Sequence, residues 1–420
     1  MRKVECVVIG AGQAGLAMSR CLADHGVDHV VLERGRVAER WRSERWDSLR
    51  LLTPNWQSRL PGFSYDGPDP DGYMTMPEVI AYFDRYAASF RAPVETGVDV
   101  RSVKQEGRSF RIETTRGSWT AGSIVVATGH AQRPAFPAMS MHAPGGVSQL
   151  TPSSYRNPAR LPDGDVLVVG ASASGIQLAD ELNRAGRNVT IAVGHHTRLP
   201  RLYRGRDILW WLDRMGVLDE PAGHVYDLDI SRDQPSLQLV GHPDRRTLDL
   251  ATLRDRGVRV AGRLVGFDAG VACFADDLVA TTAAADIKLA ILLRRIDTFI
   301  ADEDLTAETA PPFTPHCLSF IDSPAAIALY PRIRTIVWAT GFRREYPWLH
   351  VPVLDSRGEI VHDGGITSTP GVYVIGLHFL RRRNSNFIDG VGADARVLSE
   401  HLVNYLEHNL QRYRRSEVAS

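Results

Sequence analysis

Two glycine-rich stretches of this sequence have the residue types and spacing of a dinucleotide-binding turn. The first reads GAGQAG at 10–15. Gly10 permits a tight turn, Gly12 lets the backbone approach a pyrophosphate, and Gly15 allows a helix to pack closely on a strand. Glu33 ends the next predicted strand, where a carboxylate can accept hydrogen bonds from ribose hydroxyls. The pattern predicts a site for a dinucleotide without a 2′-phosphate, and FAD fits it.

The second stretch reads GASASG; it keeps Gly170 and Gly175 and has Ser172 at the middle position. The next predicted strand is followed by GHHTRLPR and not by an acid. An acid would repel a 2′-phosphate, whereas Arg198, with His195 nearby, could bind one. NADPH is therefore favoured as the second dinucleotide, and NADH stays open. Two dinucleotides indicate an oxidoreductase in which one carrier is held and the other delivers hydride to it.

Each glycine stretch lies between a predicted strand and a predicted helix. In the first unit, β-branched runs at 4–9 and 30–32 flank a helical pattern at 14–25, and the second unit repeats this order from 166 to 193. A strand, a helix and a strand with short connections are typical of a parallel βαβ unit. We therefore predict an α/β fold with two Rossmann-like dinucleotide-binding domains.

The order of the motifs along the 420 residues predicts that the second domain is inserted into the first. The sequence IVWATGF at 336–342 repeats the earlier IVVATG at 124–129, as though the chain returned to its first domain. This interpretation places an FAD-binding domain at 1–160 and an NAD(P)H-binding domain at 161–310. The segment 311–420 then completes the FAD domain and ends in a helix.

Composition excludes several other classes of protein. Lys plus Arg equals Asp plus Glu at 49 each, which removes the global electrostatic case for a nucleic-acid or membrane partner. No apolar run approaches the roughly 20 residues of a membrane span, and no secretory signal is evident, so a cytoplasmic location is expected. The four cysteines form no CxxC pair, which argues against a metal site, a disulfide framework and a dithiol redox centre.

In their order along the chain, the motifs resemble those of class B flavin-dependent monooxygenases of the YUCCA-like and bacterial CzcO-like kind. The shared stretches are GAGQAG with Glu33, WRSERWDSLRLLTPN at 41–55, ATG at 127–129, QLTPSSYRNP at 149–158, GASASG, ATGF at 339–342 and NFIDGVGADA at 386–395. The resemblance implies that NADPH reduces FAD, that reduced flavin and O2 form a C4a-hydroperoxide, and that one oxygen atom enters a small organic substrate. The flavin performs this chemistry, so no metal is expected.

The resemblance also implies roles for individual residues. Asn55 would lie near the flavin ring, and Thr151 occupies the position of a family histidine ahead of Tyr155, so these three are the expected catalytic group. The residues expected to bind the two cofactors are Gly10, Gly12, Gln13, Ala14, Gly15, Glu33, Arg34, Trp41, Trp46, Leu52, Thr53, Ala127, Thr128, Gly129, Gly170, Ser172, Ser174, Gly175, His195, Arg198, Ala339, Thr340, Gly341, Gly376, Asp389 and Gly392.

Other interpretations stay open beside this one. An NAD(P)H-dependent flavoprotein reductase or dehydrogenase would pass electrons to another acceptor, and Thr151 favours it because a hydroxyl cannot titrate near neutrality. A redox-sensing protein would keep the cofactor sites without turnover. The bulky apolar stretch at 203–216, with Trp210 and Trp211, either covers an apolar substrate or packs the two domains together. A homodimer is the default assembly.

Overall fold

The first sheet is built around the N-terminal strand of the chain. The structure, a computed structural model, describes residues 2–232, 234–315 and 323–418. Strand Arg2–Ile9 is parallel to its neighbours His29–Glu33 and Gly117–Val126, and its last four residues are buried. A strand covered on both faces has a continuous apolar run, which explains the sequence CVVI at this place. The predicted N-terminal βαβ unit is confirmed.

The order of strands in this sheet combines an early and a late part of the chain. Along the main path the strands are Leu349–His350, Val100–Glu106, Ser109–Thr114, Gly117–Val126, Arg2–Ile9, His29–Glu33 and Val94–Thr96. Beside the end of Gly117–Val126 the sheet continues through Val372–Val374, Ile366–Thr367 and His362–Asp363.

The second sheet is parallel throughout. Its order is Ser148–Leu150, Ile333–Trp338, Asp165–Val169, Val189–Ala192 and Arg259–Ala261. Because its first two strands lie outside 161–310, the second domain extends beyond both predicted boundaries. The stretch at 336–342 completes this domain, and the chain rejoins the first sheet at Leu349–His350. The inserted arrangement of two Rossmann-like domains is confirmed, with different boundaries.

The repeated ATG sequence marks the same place in both domains. Gly117–Val126 leads into Ala127 beside the first glycine turn, and Ile333–Trp338 leads into Ala339 beside the second. A Cβ on Gly10 would lie 2.7 Å from the Ala127 carbonyl oxygen. In the same way, a Cβ on Gly170 would overlap the carbonyl oxygen of Ala339. The two ATG stretches are similar because they occupy equivalent positions in two different domains. The second stretch therefore does not return the chain to the first domain, contrary to the prediction from its sequence.

The helical pattern predicted at 14–25 is confirmed to within one residue as the first of the helices. In the described residues they are α1 Gln13–Asp24, α2 Glu39–Ser43, α3 Met76–Ser89, α4 Ala173–Arg184, α5 Ile208–Arg214, α6 Leu228–Arg232, α7 Leu250–Asp255, α8 Leu278–Asp302 and α9 Val391–Val418. α1 packs against α9, which joins the two parts of the first domain. No helix of the described ranges has the length and apolarity needed to cross a bilayer.

Short elements connect these layers. The remaining strands are Arg59–Leu60 with Phe63–Ser64, Arg133–Pro134 with Phe342–Arg343, Thr197–Arg198 with Leu237–Gln238, Leu202–Tyr203 with Arg206–Asp207, and the group Leu264–Asp268, Val271–Phe274 and Ala326–Ala328. Single turns of 3₁₀ helix span Asn55–Gln57, Ala138–His142, Pro158–Arg160, Ala222–His224 and Thr306–Glu308.

A separate apolar cluster lies between α5 and α8 of the second domain. Ile208 and Trp211 of α5 are fully buried in one cluster with Leu289, Leu293 and Ile296 of α8. One face of the stretch at 203–216 therefore packs within the second domain, while Asp207 and Asp213 of the same stretch contact Tyr73 and Arg59 of the first domain.

Candidate functional site

The first glycine turn has the geometry of a phosphate cradle. Gly10 has φ +108°, a left-handed value that favours glycine, and a Cβ on Gly15 would overlap the Gly10 carbonyl oxygen. Gly12 precedes α1, and a Cβ there would have no heavy atom within 4 Å. Backbone N–H groups at the start of α1 therefore face open space that an anion can occupy.

Glu33 joins this turn to the end of the adjacent strand. Its Oε2 accepts a hydrogen bond from the N–H of Ala11 and its Oε1 accepts one from the N–H of Gly35, both at 2.8 Å. The side chain is buried yet lines the cavity described below. Each carboxylate oxygen keeps a lone pair for a hydroxyl of a bound ribose.

The second glycine turn repeats the first. Gly170 has φ +104°, and a Cβ on Gly175 would overlap the Gly170 carbonyl oxygen. Ser172 stands where Gly12 stands in the first turn and precedes α4. The chain therefore contains two turns of the same construction, each at the carboxyl end of the parallel strands of its own sheet, which is where open α/β folds bind ligands.

Both turns open on one cavity of about 1550 Å³. Typical pockets for one small ligand measure about 300–1,000 Å³, so this cavity has room for more than one. It brings together 21 of the predicted site residues: Gly10, Gly12, Gln13, Ala14, Glu33, Arg34, Trp41, Trp46, Leu52, Thr53, Ala127, Thr128, Gly129, Gly170, Ser172, Ser174, His195, Ala339, Thr340, Gly341 and Gly376. Gly15 and Gly175 lie behind it, where they allow helix and strand to pack.

The three predicted catalytic residues do not line this cavity. The Asn55 side chain donates to the Asp69 carbonyl at 2.9 Å and accepts from the Met74 N–H at 2.7 Å, so it holds a neighbouring loop. Thr151 is buried, and its hydroxyl lies 3.3 Å from Ser154 Oγ. The side chains of Asn55 and Thr151 are therefore engaged by other groups of the protein.

Tyr155 is engaged by protein groups as well. Its hydroxyl donates to Glu181 Oε1 at 3.2 Å, and Ser48 donates to the other oxygen of Glu181 at 2.6 Å. Burial raises the pKa of both Tyr155 and Glu181. Because Ser48 belongs to the first domain and Glu181 to α4, this network connects the two domains.

Arg198 also lies away from the cavity, in contrast to the prediction. Its buried guanidinium donates to Asp249 at 2.9 Å and to Asp286 at 2.6 Å. These partners lie far along the chain, so sequence spacing could not reveal them. Arg263, which sequence reasoning missed, lines the cavity instead: its Cδ would lie 4.0 Å from a Cβ on Gly194.

The segment ahead of α9 contributes different residues from those predicted. Asp389 forms an ion pair with Arg59, and a Cβ on Gly392 would meet Pro61, so neither lines the cavity. Asn386, Phe387 and Ile388 do line it. They belong to the motif NFIDGVGADA, so the motif located the segment, while the direction of its side chains depended on the fold.

Two histidines in the cavity wall were not predicted. His130 follows the first ATG turn, and His378 follows Gly376. Burial, with the neighbouring His378 and Arg344, lowers the pKa of His130 to about 4. Burial also lowers the pKa of His378, whose Nδ1–H donates to the Arg232 carbonyl at 3.0 Å. Both rings are therefore neutral at pH 7 and can accept or donate hydrogen bonds without adding charge.

One side of the cavity is apolar, and we call it the apolar lobe. Its members come from the second domain, except for Phe387: Leu199, Leu209, Leu212, Val217, Leu218, Leu237, Leu239, Leu292 and Phe387. The second face of α5 thus lines the cavity through Leu209 and Leu212. This placement agrees with the interpretation in which the stretch at 203–216 faces a ligand, and its contacts with Tyr73 and Arg59 agree with the interpretation in which it packs the two domains together.

The three cysteines that the structure describes are free thiols. Cys6 and Cys21 are buried, and burial raises their pKa values to about 12 and about 11. Cys273 is half-buried, and Cys317 lies outside the described residues. No group of three metal-ligating side chains occurs in the described ranges.

Comparisons with known proteins agree with this architecture. Residues 7–203 match the pyridine nucleotide-disulphide oxidoreductase family. An uncharacterized CzcO-like oxidoreductase of Geobacillus kaustophilus is 32% identical over 405 residues, which covers 96% of this chain and 99% of the relative. A probable indole-3-pyruvate monooxygenase, YUCCA1 of Arabidopsis thaliana, is 31% identical over 46% of this chain and 48% of its own. A flavin-containing monooxygenase structure from Stenotrophomonas maltophilia has a TM-score of 0.68 at 21% identity, over 96% of this chain and 99% of that one.

Proposed function

Because the chain belongs to the CzcO-like oxidoreductases of the class B flavin monooxygenase family, we propose that it is an FAD-containing, NAD(P)H-dependent monooxygenase. In this proposal it inserts one oxygen atom of O2 into a small organic substrate. The observation that carries the proposal is that two dinucleotide turns open on one cavity, so a hydride donor and a flavin can meet inside it.

The first turn fits FAD. Gly12 leaves room for a pyrophosphate at the start of α1, and the Glu33 carboxylate is held with a free lone pair on each oxygen for a ribose. A 2′-phosphate would meet this carboxylate and be repelled. On the opposite side, Asn386, Phe387 and Ile388 would contact the flavin ring.

The second turn fits a nicotinamide dinucleotide. Ser172 and the start of α4 would hold its pyrophosphate. His195 and Arg263 lie at the end of the following strands, where the adenosine ribose of a Rossmann ligand is bound. The Arg263 side chain is 59% exposed, and its contact with Asp277 is long at 3.4 Å, so it is free to turn towards a 2′-phosphate. We therefore propose that Arg263, in place of Arg198, favours NADPH over NADH.

A bound flavin would supply the redox and dioxygen chemistry, so the protein needs no nucleophile or metal of its own. The chain would position the cofactors and the substrate and would exclude water from them. The apolar lobe would hold the substrate beside Phe387, at the junction of the two cofactor sites. Its aliphatic side chains offer no hydrogen bond to water, which favours an apolar substrate body. His130 and His378 could hold a polar group at the other wall without charge.

The proposal is tested by following where the oxygen goes. Protein reduced with NADPH in the absence of air is mixed rapidly with oxygenated buffer, and flavin absorbance is recorded. A panel of apolar ketones, thioethers and amines is then incubated with the protein, NADPH and ¹⁸O₂, and the masses of the products are measured by mass spectrometry. We expect a transient spectrum distinct from oxidised and reduced flavin, and one ¹⁸O atom in the product of at least one compound.

The contrary result is a direct return to oxidised flavin, with hydrogen peroxide equal to the NADPH consumed and no ¹⁸O in any compound. That outcome would favour a reductase or dehydrogenase that uses another acceptor. Gly12→Val is the matched control: the backbone at Gly12 is extended, so valine is accommodated, but its side chain enters the space of the dinucleotide. This variant should fold and bind no flavin.

A further inference from the structure

The outer face of α8 carries a row of apolar side chains that nothing covers in the described part of the chain. α8 spans 25 residues, Leu278–Asp302. Its inner face is buried through Leu278, Ala285, Leu289, Leu293, Ile296 and Ile300. On the outer face Val279 is 64% exposed, Ile287 is 62% exposed and Ile291 is 46% exposed.

These exposed residues form one continuous stripe. Val279, Ala283, Ile287 and Ile291 follow each other at four-residue spacing, and Ala290 lies beside them. At about 100° per residue they fall within roughly 120° of the helix circumference. A stripe of this width on a surface helix normally faces a partner, because large apolar side chains in a row are costly to leave in water. We call these five residues the α8 stripe.

The α8 stripe is arranged symmetrically about Ala285. Val279 and Ile291 are equally far from this residue along the helix, and so are Ala283 and Ile287. Asp276, two residues before the start of α8, and Arg294, three residues beyond Ile291, are also equally far from it along the chain. When two identical helices pair antiparallel about a two-fold axis, positions equidistant from the axis come opposite each other.

We propose that the α8 stripe is the centre of a homodimer interface, in which α8 pairs antiparallel with α8 of a second copy about an axis at the level of Ala285. Val279 then meets Ile291 of the other copy, and Ala283 meets Ile287. Each contact forms twice, as in any interface in which the same patch is used by both subunits. The small side chain of Ala283, two residues from the axis, leaves room for Ile287 of the other copy.

The charges at the ends of the stripe match this arrangement. Asp276 and Arg294 are both exposed, and within the described residues neither is joined to another side chain by an ion pair. The antiparallel register brings Asp276 of each copy opposite Arg294 of the other. A parallel pair would instead place like charges together at both ends. The charge pattern therefore selects the antiparallel register and supports a second copy as the occupant.

The pairing has a consequence for the cavity. Arg295, four residues beyond Ile291 along α8, and Leu292, on the side of α8 that packs against the domain, line the cavity. A partner on the stripe would restrain the helix that carries them. Because this inference concerns a surface outside the cavity, it stands whether or not the chain is a monooxygenase.

The test measures the mass of the full-length protein in solution by sedimentation velocity over a range of concentrations. We expect twice the 46.4 kDa of one chain at micromolar concentration. Asp276→Arg and Arg294→Asp, taken singly, place like charges opposite each other twice, and each should raise the dimer dissociation constant about tenfold or more. The double variant restores opposite charges and should recover the dissociation constant to within about threefold.

Lys288→Glu is the control, because it makes the same change of charge as Arg294→Asp on an exposed position of α8 outside the stripe. It should leave the dimer unchanged. Circular dichroism and the thermal midpoint of each variant show whether it is folded. The proposal is overturned if the unmodified protein is a monomer at every concentration, if the single variants match Lys288→Glu, or if the double variant dissociates as readily as the single ones.

Discussion

Gln13, in the first turn of α1, donates a hydrogen bond from Nε2 to the carbonyl of Asn386, 2.9 Å away and 373 residues further along the chain. This contact ties the first glycine turn to the segment that lines the cavity ahead of α9. The two ends of the chain are thereby held against one ligand site. Gln13 and Asn386 are far apart in sequence, and the packing of α1 against α9 brings them together.

We expect Gln13→Leu to weaken FAD binding. The leucine keeps the approximate volume but removes the donor, so the Asn386 carbonyl loses its partner and the segment loses its tether. Loss of a hydrogen bond with a net free energy of about 1 kcal/mol corresponds to roughly a fivefold higher dissociation constant for FAD. Fluorescence titration of the apoprotein with FAD measures it. Gln105→Leu, at an exposed glutamine whose amide reaches only Gly107, is the control. Equal constants for both variants would count against the tether.

Arg198 and Arg263 should respond differently to replacement by alanine. Arg263→Ala should raise the KM for NADPH about tenfold and leave that for NADH unchanged, since only NADPH carries the 2′-phosphate. Arg198→Ala leaves the buried Asp249 carboxylate without its cation, which typically costs about 3–5 kcal/mol. Its effect should therefore appear as a lower thermal midpoint. If Arg198→Ala is as stable as the parent protein and loses NADPH selectivity, the assignment must be reversed.

His130 should make the protein less stable in mild acid. Its pKa in the folded chain is about 4, below the ordinary value of 6.5, so between these values the unfolded chain binds a proton that the folded chain does not. The free energy of unfolding is highest above pH 6.5 and falls by up to about 1.4 kcal/mol per pH unit towards pH 4. Urea unfolding at several pH values measures this. His130→Gln should flatten the profile, whereas His142→Gln, at an exposed histidine, should not.

Thr151→His should destabilise the protein and should not improve the coupling of NADPH oxidation to oxygenation. Thr151 is buried behind the cavity wall, so an imidazole there is overpacked and does not reach a ligand. Overpacking typically costs about 1–3 kcal/mol. The thermal midpoint and the hydrogen peroxide formed per NADPH are the measurements. Thr151→Val, which removes the hydroxyl at nearly equal volume, is the comparison. A lower peroxide yield with an unchanged midpoint would show that the histidine position is functional.

Local sequence patterns were sufficient to predict the two glycine turns, the helix that follows each of them, and the position of Glu33. A tight turn, a helix start and a buried strand each depend on residues close together in sequence, so Gly10, Gly12 and Gly15 could be interpreted without a fold. The repeated ATG sequence shows the limit of this reasoning. Two similar strands were interpreted as one domain resumed, although each borders the first strand of its own sheet.

By itself, the sequence determined that this protein has two glycine turns of the kind found in dinucleotide-binding folds, and an α/β fold with one domain inserted into the other. Only the tertiary structure decided which side chains face the cavity. It turned Asn55, Thr151, Tyr155 and Arg198 towards protein partners, and it brought His130, Arg263, Phe387 and the apolar lobe to the ligand side. The physical reason is that a polar side chain goes to whichever hydrogen-bond or ion-pair partner packing places beside it, and those partners lie on distant segments of the chain.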